Sequence, residues 1–122
     1  MSETKRVLLV EDQQILQQLM MFELQGQGFD VTTKSNGLEA LNCIEQQDFD
    51  VVVTDLFMPE MGGIELIERV KEIKPDLPFI ALSASRQEEI KQQLNTLGVP
   101  NFIDKPITDD KLVLLGHLIE AM

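Results

Sequence analysis

The sequence predicts an α/β fold in which a parallel sheet of five strands is covered by helices on both faces. Short apolar runs alternate five times with segments that carry hydrophobic residues at helical spacing. The apolar runs lack alternating polar positions, which indicates strands that are buried on both faces. Parallel strands joined by helices require right-handed crossovers, so a doubly wound (βα)5 sandwich is the expected arrangement.

Four of the predicted strands are short apolar runs, and the remaining one, which is second along the chain, has a weaker pattern. The apolar runs are residues 7–10, 51–53, 79–82 and 102–103. The weaker strand, residues 31–33, is predicted from β-branched residues that follow Gly28. No linker, repeat or low-complexity segment separates these elements, so we expect a single domain over residues 1–122.

The first two predicted helices flank the weak strand. The first covers residues 13–25 and ends at Gly26. Its apolar stripe consists of Leu16, Leu19, Met20 and Leu24. Asn36 can cap a second helix, which places Ala40, Leu41 and Ile44 at helical spacing. Glutamine is frequent but scattered on the helices, which is typical of a solvated surface.

Caps and helix breakers delimit the other three predicted helices. The third covers residues 63–74, and Pro75 ends it. Ser85 can cap a polar fourth helix that Gly98 closes. Thr108 can cap the fifth helix, although no acid follows three residues later to complete a capping box.

The composition excludes several classes of protein. The chain has 21 acidic and 10 basic residues, and the net charge of −11 argues against direct binding to nucleic acid or to an anionic membrane surface. Cys43, the single cysteine, forms no disulfide within the chain, which fits a reducing compartment. The sequence shows no signal peptide or spanning helix, so we expect a cytoplasmic protein.

Polar residues follow four of the predicted strands where each strand ends. Glu11 and Asp12 follow the first strand, Asp55 the third, Ser83 the fourth and Lys105 the fifth. Ligands of open parallel sheets bind beyond the carboxyl ends of the strands. We therefore expect these five side chains to form one site.

The residue types at this edge favour phosphoryl transfer onto Asp55. Three carboxylates close together repel one another unless a cation is present, and Mg²⁺ prefers such oxygen ligands. Lys105 can pair with an incoming phosphoryl group, and Ser83 offers a hydrogen-bond donor. His117 lies in the last predicted helix, so the edge lacks a histidine base for acyl transfer.

Each of these residues also has a purely structural interpretation. The acid pair could cap a helix, and Asp55 could cap a turn. Lys105 could be an ordinary surface lysine, and Ser83 could satisfy nearby backbone. Their joint occurrence at the strand ends favours the site.

Over nearly its whole length the chain resembles the receiver domain of two-component response regulators. The matching motifs are Glu11-Asp12, Asp55 with Met58-Pro59 and Gly63, Ser83-Ala84, and Lys105-Pro106 preceded by Phe102. The resemblance implies a flavodoxin-like fold with the strand order 2-1-3-4-5.

The resemblance also implies a role for each site residue. Asp55 would be the phosphoacceptor, with a histidine kinase or histidine phosphotransfer protein as the donor. Glu11, Asp12 and Asp55 would hold Mg²⁺ (or Mn²⁺) directly or through water, together with the backbone carbonyl of Phe57. Lys105 would contact the phosphoryl oxygens.

The resemblance further implies a switch. Ser83 would turn toward the phosphoryl group and Phe102 would move inward, which would reshape the surface of the fourth helix, fifth strand and fifth helix. The peptide bond between Lys105 and Pro106 is expected to be cis.

Two features depart from the family or vary within it. Gly62 stands where the family commonly has Asp, which loosens the turn but removes no active-site group. Phe57 and Ser85 occupy positions with which the family tunes dephosphorylation. The large Phe57 side chain could shield an acyl phosphate from water.

Apolar residues in excess of the predicted core suggest partner surfaces. Ile15, Met21 and Phe22 lie beyond the stripe of the first helix, where Ile15 and Leu16 could receive a phosphodonor helix. The fifth helix is apolar nearly all round. A second subunit or an output domain could bind through the fourth and fifth helices, where the candidate residues are Val113, Leu114 and Leu118. Scattered exposed leucines are the alternative.

Three functions are compatible with the sequence. The favoured one is a phosphorylation-driven switch that promotes phosphoryl transfer to, and hydrolysis from, its own Asp55, rather than an enzyme with a separate substrate. The second is a receiver-like interaction domain that no longer takes phosphate. The third, a flavodoxin-like module that binds a small molecule, is disfavoured because the edge is acidic and the chain has no Trp or Tyr.

Overall fold

The computed structural model of the chain describes residues 4–84 and 88–122, and within them strands and helices alternate five times. All strand pairs are parallel, and the sheet order is β2-β1-β3-β4-β5. This arrangement confirms the predicted doubly wound fold.

The strands extend slightly beyond the predicted apolar runs. Their bounds are β1 Arg6–Val10, β2 Asp30–Lys34, β3 Val51–Asp55, β4 Phe79–Ser83 and β5 Phe102–Asp104. The ladder continues through polar residues, because Asp55 is in register with Leu82 and Ser83 with Asp104. Asp55 and Ser83 are therefore the last residues of their strands and not the first residues of loops.

The helices begin and end close to the predicted signals. Their bounds are α1 Gln14–Gly26, α2 Gly37–Gln46, α3 Gly63–Ile73, α4 Glu88–Thr96 and α5 Asp109–Glu120. The side chain of Asn36 caps α2 by accepting a hydrogen bond from the Glu39 N–H at 2.9 Å. Thr108 caps α5 through the Lys111 N–H at 3.4 Å. The predicted cap at Ser85 lies outside the described residues.

The sheet separates two hydrophobic cores. Val7 and Leu9 of β1 face the core covered by α1 and α5, whereas Leu8 and Val10 face the core covered by α2, α3 and α4. Successive side chains of a strand point to opposite faces, so both faces need apolar residues. This double burial explains the uninterrupted apolar runs, and it holds the carboxyl ends of the strands in fixed register.

Two residues of α1 contradict the sequence-based prediction. Leu19 was expected in the core but is 53% exposed. Gln17 was expected on the solvated surface but is buried, with 9% exposure. Gln17, Met20 and Leu24 line the buried face of the helix, so the apolar stripe is rotated relative to the prediction.

Two adjacent glycines have different roles in the turn between β3 and α3. Gly62 is the N-cap of α3 and provides no capping side chain. A Cβ atom at Gly62 would lie 3.0 Å from the Leu56 carbonyl oxygen, so that this backbone would have to shift by a few tenths of an ångström. At Gly63 it would lie 2.4 Å from the Asp55 carbonyl oxygen, which leaves no room for a side chain. Gly63 therefore allows α3 to start directly against the strand end that carries Asp55.

We predict that substitutions at these two glycines change stability by very different amounts. Gly62→Ser adds a capping hydroxyl that offsets the tight Cβ contact, so the free energy of unfolding should change by no more than a few tenths of a kcal/mol. Gly63→Ala forces the turn away from Asp55 and should lower it by about 1–3 kcal/mol. Urea unfolding followed by circular dichroism measures both changes. Equal effects of the two substitutions would contradict this assignment.

Candidate functional site

Lys105 joins two buried carboxylates at the carboxyl edge of the sheet. Its Nζ lies 2.9 Å from Glu11 Oε1 and 2.9 Å from Asp55 Oδ2. Glu11 follows β1 directly and is fully buried, and Asp55 ends β3 with 4% exposure. Side chains 50 residues apart in the sequence thus meet at the edge where the parallel strands end.

The loop after β5 holds Lys105 at this edge through backbone contacts. The Lys105 N–H donates to the Ser83 carbonyl at 2.8 Å. The peptide bond between Lys105 and Pro106 is cis. Lys111, in the first turn of α5, donates from Nζ to the carbonyls of Asp104 at 2.8 Å and Pro106 at 3.1 Å. The loop is therefore fixed on both sides of the lysine.

Glu11 is held at both carboxylate oxygens. Oε2 accepts a hydrogen bond from the Gln13 N–H at 3.1 Å. Oε1 is buried and lies 2.9 Å from Lys105 Nζ, its ion-pair partner. A carboxylate oxygen has two lone pairs, and this contact occupies one of them. This oxygen therefore keeps bonding capacity for a further electropositive group.

Three carboxylates form a cluster around this edge. Oxygens of Glu11, Asp12 and Asp55 all lie within 4.8 Å of one another. Asp12 is exposed, and within residues 4–84 and 88–122 its side chain has no hydrogen-bond or ion-pair partner. Two buried oxygens and one solvated oxygen match the preference of Mg²⁺ for a few carboxylates plus several waters. The donor set fits a divalent cation of this type.

The protonation equilibria follow from burial and charge. Burial raises the pKa of Glu11, and the negative charge of Asp55 adds to this, while the contact with Lys105 opposes it. Burial lowers the pKa of Lys105, but its contacts with Asp55 and Glu11 outweigh burial and raise that pKa above 10.5. Lys105 is therefore firmly cationic.

The other predicted site residues lie around this cluster. Ser83 is fully buried at the end of β4. Phe102, at the start of β5, is partly buried and lines a cavity between β5 and α4 with Lys91 and Leu94. Phe57 is 57% exposed, and its N–H donates to Asp55 Oδ1 at 3.3 Å. Ser85 lies outside the described residues.

One residue near the site was missed by the sequence-based reasoning. Gln17 donates from Nε2 to the carbonyls of Glu11 and Lys34, both at 3.0 Å. Its position three residues before Met20 and seven before Leu24 is core spacing, and that spacing was the available signal.

Large apolar side chains are exposed on several helices, among them α1 and α5. Ile15 and Phe22 of α1 are 80% and 72% exposed, and together with Leu19 they occur at the i, i+4, i+7 spacing of one helix side. Val113 and Leu114 of α5 are about half exposed. No helix in the described part of the chain has the length and apolar character needed to cross a bilayer.

Comparisons with known proteins agree on one family. A family model for the response regulator receiver domain matches residues 7–115. The response regulator SaeR of Staphylococcus aureus is 34% identical over 117 residues, which cover 95% of this chain and 51% of SaeR. The chain thus spans about half the length of the curated relatives it matches.

Solved structures similar to this one include three at 28% identity. The non-phosphorylated HemR receiver domain of Leptospira biflexa has a TM-score of 0.90, with 98% of this chain and 96% of that chain covered. CheY4 of Vibrio cholerae has a TM-score of 0.87, with 96% and 99% covered. TrrA of Thermotoga maritima, solved in complex with Mg²⁺ and BeF, has a TM-score of 0.82, with 95% and 99% covered.

We predict that the stabilising effect of Lys105 disappears at high pH. The pKa of Lys105 is raised in the folded state, so its contribution is complete below the ordinary value of 10.5 and is lost as the pH rises through the folded-state pKa. The parent should therefore lose stability relative to Lys105→Met above that value. Urea unfolding of both proteins from neutral to alkaline pH measures this difference.

Lys91→Met is the matched control, because Lys91 is an exposed lysine on α4. Its difference from the parent should stay nearly constant over the same pH range. A difference between the parent and Lys105→Met that does not change with pH would contradict the coupling of Lys105 to the two carboxylates.

Proposed function

Because the chain belongs to the response regulator receiver domain family of two-component systems, we propose that Asp55 accepts a phosphoryl group from a phosphohistidine donor. The observation that carries this proposal is the Lys105 ammonium, 2.9 Å from both Asp55 and Glu11, beside a third acid. A buried carboxylate next to a fixed cation suits a nucleophile that receives a dianionic group.

In the proposed transfer, an oxygen of the Asp55 carboxylate attacks the phosphorus atom. The P–N bond to the donor histidine breaks, and the imidazole nitrogen leaves with the electron pair and is protonated by solvent. An acyl phosphate on Asp55 is the product. Lys105 pairs with a phosphoryl oxygen in place of one of its carboxylate contacts, which offsets the charge brought into the site. The Phe57 N–H orients the carboxylate before attack.

Mg²⁺, or Mn²⁺ in its place, is the proposed cofactor. Glu11, Asp12 and Asp55 would hold it together with the backbone carbonyl of Phe57. A bound divalent cation lowers the repulsion between the carboxylates and the phosphoryl oxygens. The fit rests on the clustered oxygens and on the remaining bonding capacity of Glu11 Oε1, and the similar TrrA was solved with Mg²⁺ and BeF.

The proposed output is a change in the surface formed by α4, β5 and α5. The buried Ser83 would follow the phosphoryl group, and Phe102 would move into the space that Ser83 leaves. Phe102 lines a cavity beside α4, so an inward movement of its ring would change the shape of that cavity. A second subunit or an output domain would bind this surface, to which Val113 and Leu114 contribute apolar area.

The proposed donor is a histidine kinase or a histidine phosphotransfer protein. Ile15, Leu19 and Phe22 form an exposed apolar stripe on α1, and this helix begins two residues after Asp12. A donor helix packed on the stripe would bring its phosphohistidine to the rim of the site. Residues 1–122 would act as one receiver domain, and the proposed location is the cytoplasm.

We predict that acetyl phosphate and Mg²⁺ add one phosphoryl group to the chain. Intact-mass spectrometry should show the addition in the parent and none in Asp55→Asn, since an amide is not a nucleophile for this reaction. Asp76→Asn, which removes an exposed acid near the start of β4, should be phosphorylated like the parent.

Absence of the added phosphoryl group in the parent would overturn the proposal in favour of an interaction domain that takes no phosphate. Equal phosphorylation of Asp55→Asn would place the acceptor elsewhere.

We predict that Phe57→Ala hydrolyses its acyl phosphate severalfold faster than the parent. The Phe57 ring is 57% exposed at the rim beside Asp55 and would restrict the approach of water to the acyl phosphate. The decay of the phosphorylated mass after removal of acetyl phosphate measures the rate. Phe22→Ala removes an exposed ring from α1, and its acyl phosphate should decay at the rate of the parent. A Phe57→Ala decay rate no faster than that of this control would exclude the shielding role of Phe57.

A further inference from the structure

Gln17 is a buried polar side chain that spans the gap between two strand ends. It projects from the end of the first turn of α1 and has 9% exposure. Its Nε2 lies 3.0 Å from the Glu11 carbonyl after β1 and 3.0 Å from the Lys34 carbonyl at the end of β2. One side chain thus connects the helix with the carboxyl ends of both strands.

The amide nitrogen of Gln17 has two hydrogens to donate. The carbonyls of Glu11 and Lys34 are its nearest acceptors, and Ser35 Oγ lies further away at 3.5 Å. The Lys34 carbonyl also accepts the Glu11 N–H at 3.1 Å. Glu11 is therefore held at its N–H through Lys34 and at its carbonyl through Gln17, which fixes the peptide plane between Glu11 and Asp12.

This peptide plane helps to place the backbone from which the Asp12 carboxylate extends. Asp12 is exposed, and within residues 4–84 and 88–122 no side-chain contact orients its carboxylate. Glu11 and Asp55, in contrast, are both held by Lys105. Of the three carboxylates, only Asp12 depends mainly on its own backbone for its position.

We infer that Gln17 is a positioning residue for divalent-cation binding, acting on Asp12 through the Glu11 carbonyl. The inference rests on the proposed function, which assigns the three carboxylates to Mg²⁺. Loss of the amide donor frees the Glu11–Asp12 peptide to rotate. The exposed Asp12 carboxylate then no longer faces the buried carboxylates of Glu11 and Asp55. Groups that orient metal ligands in this way typically change metal affinity by about 10- to 100-fold when they are removed.

A ¹H–¹⁵N NMR titration with MgCl₂ tests this inference on the parent, Gln17→Met and Gln17→Asn. Met keeps the length of the side chain without a donor, and Asn keeps the donor but is too short to span both carbonyls. The spectra report folding and affinity in one experiment. The Mg²⁺ dissociation constant should rise about tenfold in both variants. Gln18→Met, an exposed neighbour on the same helix, should match the parent.

A purely structural role of Gln17 would lower thermal stability but leave the dissociation constant of the folded variants unchanged, and that result would overturn the inference. An equal loss of affinity in Gln18→Met would overturn it as well. A parent that shows no Mg²⁺-dependent shifts would contradict the proposed function itself. The two failures are therefore distinguishable.

Discussion

The site depends on the balance between one ammonium group and three carboxylates. Two unit charges about 4 Å apart interact by about 4 kcal/mol at the effective dielectric constant near a protein surface. Lys105 attracts both Glu11 and Asp55, but its single positive charge neutralises only one of the three acidic charges, so the repulsion among the carboxylates is only partly offset. An excess of negative charge held in a fixed arrangement of oxygens favours a small divalent cation over any anion.

The fold keeps these charges together at the ends of buried strands. β3 is buried along its whole length, and the ladder continues past Asp55, because the Leu56 N–H donates to the Leu82 carbonyl at 3.0 Å. Gly63 lets α3 start against the backbone of Asp55, and Lys111 fixes the loop that carries Lys105. Hydrophobic burial on both faces of the sheet thus offsets the repulsion gathered at its edge.

The sequence predicted the strand and helix order and the meeting of the acidic residues with Lys105, because both follow from double burial and parallel topology. It did not predict that Leu19 is exposed or that Gln17 is buried. The apolar stripe of α1 is ambiguous by one helical position, and only packing on the sheet decides which side is covered. The hydrogen bonds of Gln17 to two backbone carbonyls have no signature in residue types, since any chain segment offers such carbonyls.

Asp55 is buried, so a partner protein can contact mainly the exposed residues around it. With 4% exposure, and with Lys105 and the Phe57 N–H holding its two oxygens, this carboxylate is fixed in its place. In the proposed transfer, a donor would bring its phosphoryl group into the site, and exposed residues around the rim would select the donor. Phe57 and the stripe formed by Ile15, Leu19 and Phe22 are large exposed apolar groups, so in this proposal selectivity and chemistry would be carried by different residues.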